Sequence, residues 1–105
     1  MRYDIIPHMK AIPVHEYHKK FSNGMRVDII IWKLPEPTAE RPHGLKYRLN
    51  YCLADGTTLV RFDNETGKAD HKHVRGKQLP YKFKSIRQLF LDFKAEVVEQ
   101  GGKLW

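Results

Sequence analysis

The chain has 105 residues, 41% of them hydrophobic and 11% aromatic, which is the size of one domain and enough for one core, so residues 1–105 are read as a single domain. Its formal charge is +7, and residues 68–87 hold Lys68, Lys72, Arg75, Lys77, Lys82, Lys84 and Arg87 against Asp70 alone, an excess of six positive charges. A surface of that kind concentrates polyanions, of which nucleic acid is the commonest partner for a soluble protein.

Several classes fall away at once. The longest apolar run, residues 29–32, is far shorter than the ~20 residues needed to cross a bilayer, so no membrane span is expected. The first residues lack the apolar stretch and small-residue cleavage site of a secretory signal. Cys52 is the only cysteine, which excludes an intramolecular disulfide and a thiolate zinc site within one chain. A reducing cytoplasm is the expected location.

In chain order, residues 14–21 read as a partly exposed edge strand, and Asn23-Gly24 as a type I′ turn. A two-residue turn there pairs Lys19 with Asp28 and Tyr17 with Ile30, but it also sets His18 against Ile29 and Glu16 against Ile31, so the faces conflict. The run Ile29, Ile30, Ile31, Trp32 suggests a strand covered on both sides. Pro35, Pro37 and Pro42 make residues 35–43 a loop. Leu45, Tyr47, Leu49, Tyr51 and Leu53 then alternate with polar Lys46, Arg48 and Asn50, as a strand with one buried face requires. If Asp55-Gly56 is a two-residue turn, Leu53 pairs with Thr58, Tyr51 with Val60 and Leu49 with Phe62, closing a hairpin over residues 45–62.

Near the C-terminus, Ile86, Leu89, Phe90, Phe93 and Val97 recur at helical spacing, with Ser85 as N-cap, Gln88 completing a capping box and Gly101-Gly102 as the stop. The expected fold class is therefore α+β: a curved antiparallel sheet of about four strands with one C-terminal amphipathic helix packed on it.

The chemistry gathers at residues 63–73. His71 and His73 are one residue apart, so on extended backbone both rings project from one face while Lys72 points away. Spaced about 6 to 7 Å along a strand, two imidazoles can flank one phosphate. In metal-free RNA cleavage one takes the proton of the ribose 2′-hydroxyl and the other protonates the leaving 5′-oxygen, and an ordinary histidine pKa near ~6.5 suits both tasks. Lys68 or Arg75 could supply the cation for the charged transition state, and Asp70 or Asp63 could hold an imidazole in one tautomer. Two other readings stay open. A His-x-His in a basic segment is often an ordinary solvated loop. It can also supply two metal ligands, with Asp63 or Asp70 as a third, although neighbouring cations raise the cost of binding a divalent ion; the leading expectation has no metal and no cofactor.

Tyr81 and Phe83 alternate with Lys82 and Lys84, which suits either base stacking beside phosphate contacts or, more often, anchorage of the helix start on the core. Arg61, opposite Asn50 in the second hairpin, and Arg48 beside it extend the candidate basic surface. The RNA-contact candidates are thus Lys72, Arg75, Lys77, Lys82, Lys84, Arg61 and Tyr81. His8, His15, His18 and His43 are taken as surface residues.

Three local patterns carry a resemblance: Arg61-Phe62-Asp63-Asn64 with Gly67-Lys68; Asp70-His71-Lys72-His73; and Pro80-Tyr81-Lys82-Phe83-Lys84-Ser85 followed by Leu89, Asp92 and Phe93. Together they resemble the TumE family of bacterial toxin components, over roughly the last half of the chain. The resemblance implies a small α+β toxin encoded beside an antitoxin and acting on RNA, hence a candidate ribonuclease with a protein partner. A homodimer is compatible with it. The other functional class compatible with these residues is a non-catalytic nucleic-acid or protein-interaction module using the same basic segment.

Overall fold

The structure is a computed structural model that describes residues 11–65 and 69–102. Six strands form one antiparallel sheet in sequence order: β1 (Ile12–Lys20), β2 (Arg26–Lys33), β3 (Leu45–Cys52), β4 (Thr58–Asp63), β5 (His71–Val74) and β6 (Lys77–Pro80). Helix α1 (Ile86–Glu99) crosses one face. The α+β class and the C-terminal helix agree with the sequence, but among the described residues the sheet has six strands, because residues 71–80 form a hairpin of their own.

The one-sided core follows from alternation. Val27, Ile29 and Ile31 on β2, Tyr47, Leu49 and Tyr51 on β3, and Val60 and Phe62 on β4 meet Leu89, Phe93 and Val97 of α1. On β2, Asp28 and Ile30 are only partly covered between fully buried neighbours, so the strand is not equally covered on its two sides. β1 is exposed along its whole length and lies at the sheet edge, as expected.

Both early hairpins use longer loops than the two-residue turns inferred above. Phe21 N–H donates to Met25 O (2.8 Å) and Gly24 N–H to Phe21 O (2.9 Å); Leu53 and Gly56 repeat the arrangement with Thr57 and Leu53. Only the glycine of each loop has positive φ, +86° at Gly24 and +92° at Gly56. A three-residue loop closed by a left-handed glycine leaves Asn23 and Asp55 in ordinary conformations. The β1–β2 register consequently moves by one, to Tyr17 opposite Ile29 and His18 opposite Asp28, and the conflict between faces disappears. In the β3–β4 hairpin Leu49–Phe62 and Tyr51–Val60 pair as inferred, but an irregularity between Tyr51 and Cys52 brings Thr58 opposite Cys52 rather than Leu53.

At the start of α1, Ser85 Oγ accepts from the Gln88 backbone N–H at 3.0 Å, so the cap is as expected. The capping box is not completed, because the Gln88 side chain donates to Asp92 Oδ1 at 2.8 Å instead. Gly101 (φ +83°) follows the C-cap Gln100 and ends the helix.

Candidate active site

Pairing of β4 with β5 places Asp63 opposite His71 and Arg61 opposite His73. The rows continue through the sheet: Arg48 faces Asp63, Asn50 faces Arg61, Pro80 faces His71 and Gln78 faces His73. Phe62, between Arg61 and Asp63, points into the core beneath α1. Alternation therefore sends Arg61, Asp63, His71 and His73 to the other, helix-free face.

The same-face placement of the two histidines agrees with the sequence reading. Their rings lean together, with centroids 4.9 Å apart at 80°. Asp63 is the carboxylate between them: its Oδ1 lies 2.5 Å from His71 Nε2 and its Oδ2 lies 2.9 Å from Arg61 Nε. His71 Nδ1 stands 2.8 Å from the carbonyl oxygen of Ala69. A carbonyl can only accept, so Nδ1 carries the hydrogen and donates. Both nitrogens of His71 thus have a close polar neighbour, and the residue is 5% exposed. His73 is more open, and Asp63, His71 and His73 each bring a ligand-type atom within 4.8 Å of the other two.

Asp70, the other carboxylate candidate, turns to the helix side. Its carboxylate accepts from Tyr47 Oη (2.9 Å) and Asn64 Nδ2 (3.0 Å) and meets His43 Nε2 at 3.1 Å. It holds the imidazole of His43, not that of His71 or His73. Asn64 is fully buried, and its side-chain amide and backbone oxygen are all hydrogen-bonded. Its Oδ1 accepts from Tyr47 N–H, its Nδ2 donates to Leu45 O, and its backbone oxygen accepts both Arg41 Nε and Nη2. This network ties the loop before β3 to the end of β4 and to Asp70, the residue before β5. Burial and the adjacent Asp70 push the Tyr47 phenol far above its usual range. His43, taken above as a surface residue, is largely buried and stacks 4.2 Å from Phe83. No local sequence signal marks its burial, since Asp70 and Phe83, which enclose it, lie 27 and 40 residues away.

The remaining candidates are dispersed. Lys72 points to the helix side, where its Nζ meets Glu96 Oε2 at 2.6 Å. Arg75 occupies the β5–β6 turn at φ 49°, followed by Gly76, and its side chain bonds Gln100. Lys77, Lys82 and Lys84 are exposed. Tyr81 packs edge-on to Phe62 and donates to Asp92 at 2.6 Å, and burial raises its phenol pKa, so it anchors the helix start. Lys68 and His8 lie outside the described residues.

The fold and site define a small antiparallel α+β domain with a basic segment and a histidine–carboxylate centre, without a helix long and apolar enough to cross a membrane among the described residues. The family model described as Toxin TumE matches residues 20–101, and the chain belongs to that family, which carries a toxin role. No curated protein and no solved structure matches the chain.

Proposed function

We propose that the protein is an RNA-cleaving toxin, held in check by a cognate antitoxin, and that its reaction centre is the Asp63–His71–His73 cluster with Arg61 beside it. The observation that carries this reading is the convergence of two imidazoles, a carboxylate and a guanidinium on the one face of the sheet that α1 does not cover. Those groups match what phosphodiester cleavage demands: proton transfer or activation of a nucleophile, and a fixed cation where charge builds on phosphate. Lys77, Lys82, Lys84 and Arg87 would attract the polyanion by charge alone.

An acid–base pair formed by His71 and His73 requires each ring to present a nitrogen to RNA. His73 is the less buried residue of the two, but its Nε2 is enclosed and must be uncovered, and His71 must first release either Asp63 or Ala69 O. Asp63 is therefore part of the centre and not a bystander. Asp63→Asn should lower cleavage of a labelled RNA by about 10² to 10⁴-fold, the contribution of one positioned group, while circular dichroism and RNA affinity stay near wild type. Undiminished cleavage in that variant would leave the basic segment as a binding module.

A further inference from the structure

We propose that Asp63, His71 and His73 hold one divalent transition-metal ion, with zinc as the probe. The inference deepens the reading of this same centre and rests on it for the role of the ion in RNA cleavage, though not for its binding.

The donor set is two imidazoles and one carboxylate, borderline ligands suited to zinc and its first-row neighbours, and three protein ligands leave a position open for water or a phosphate oxygen. The three donors already lie within 4.8 Å of one another. A tetrahedral ion with bonds of about 2.1 Å sets its ligands ~3.4 Å apart, a spacing between the 2.5 Å of Asp63 Oδ1 and His71 Nε2 and the 4.8 Å limit of the cluster. Oδ1 of Asp63 is buried and makes no hydrogen bond of acceptable angle among the described residues, although His71 Nε2 stands 2.5 Å from it. Nε2 of His73, the third residue of the cluster, is likewise buried without a hydrogen bond among the described residues, so two of the three ligand residues present a buried polar atom that makes no hydrogen bond.

The outer contacts fit the same interpretation. His71 donates its other nitrogen to Ala69 O, the arrangement that fixes a ligating imidazole with its free nitrogen toward an ion. Arg61 Nε stands 2.9 Å from Oδ2 of Asp63 as an ion pair, and Oδ1 is the oxygen that faces His71. An acid–base role, by contrast, needs a nitrogen of His71 that is not spoken for. Binding replaces any hydrogen on Nε2, which leaves as a proton to solvent while the metal takes the lone pair, so no other reactant is required. The charge of Arg61 weakens the site for a bare cation and favours an ion whose open position carries an anionic phosphate oxygen.

The test is a titration of the full chain, stripped with EDTA and dialysed, with cobalt(II) as a visible probe and zinc as competitor. One equivalent of cobalt should give a d–d absorption band that zinc abolishes, and zinc should raise Tm. His73→Ala or Asp63→Asn should weaken cobalt binding at least about 100-fold, and His73→Gln is read in the same way should the alanine variant not fold. His18→Ala, at an exposed site outside the cluster, should leave cobalt binding unchanged. Absence of the band, or a band lost in His18→Ala and kept in His73→Ala, overturns the site. RNA cleavage that persists in EDTA from a protein that binds no cobalt returns the centre to a metal-free pair. A protein that binds cobalt as described but cuts no RNA keeps the metal site and sinks the RNA-cleaving reading.

Discussion

Phe93→Ala separates a helix that serves the core from one that faces a partner. Phe93 is fully buried on the inward stripe of α1 and meets Phe62 edge-on at 5.8 Å, with Leu89 and Val97 buried one turn to either side. Removing the ring forfeits about 1.5 to 3 kcal/mol of transfer free energy. It also opens a void of about 100 Å³, worth about 2 kcal/mol at ~24 cal/mol per Å³ where the surroundings do not collapse. Loss of the ring pair adds ~0.5 kcal/mol or more, and partial relaxation trims the total to about 3 to 5 kcal/mol. For a domain of this size that is a fall in Tm of at least ~12 °C, followed by circular dichroism and by urea midpoint. If the alanine variant is unfolded at 25 °C, Phe93→Leu should cost ~1 kcal/mol and be measurable. A Tm within about 3 °C of wild type in Phe93→Ala would refute the assignment of the stripe to the core and make α1 a candidate antitoxin surface.

The other expectations concern charge. Changing exposed Lys77, Lys82, Lys84 and Arg87 to Ala should lower affinity for single-stranded RNA and reduce the slope of log K against log salt by ~0.7 for each phosphate that is no longer neutralised. Lys72→Ala should do less, because Glu96 already holds that ammonium; an equal effect would show that the pair opens in the complex. Asp28, then Glu16, raise the pKa of His18, so this histidine stabilises the fold below about pH 6.5 and the benefit is lost as pH rises through the raised value. The Tm advantage of wild type over His18→Gln should therefore shrink between pH 5.5 and pH 8, and a constant difference would contradict the linkage. Burial holds Tyr47 and Tyr81 protonated beyond the ordinary tyrosine range, so part of the phenolate absorbance should appear only together with alkaline unfolding.

What was legible in the sequence followed period and composition. The alternation from Leu45 to Tyr51 set the central pairing, and the spacing of Leu89, Phe93 and Val97 set the helix and its buried face. The turns misled by one residue, because Asn-Gly and Asp-Gly serve both a two-residue loop and a three-residue loop closed by a left-handed glycine. The β5–β6 hairpin was not legible as such: its strands are four residues each, and its turn is Arg75-Gly76, with an arginine in a conformation that arginine seldom adopts. At the site, local spacing correctly put His71 and His73 on one face. Choosing between Asp63 and Asp70 needed the sheet register, which sends one to each side. The Arg41–Asn64–Tyr47–Asp70–His43 network joins distant segments and leaves no periodic trace.

The central claim is that the histidine–carboxylate centre cleaves RNA, and it is tested most directly by purified wild type, His71→Ala and His73→Ala on one labelled RNA, with toxicity scored in parallel. Each variant should keep its fold and most of its RNA affinity, lose cleavage by about 10² to 10⁴-fold, and lose toxicity with it. Full cleavage and toxicity in both variants would contradict the account and leave the basic segment as a surface that binds RNA without cutting it.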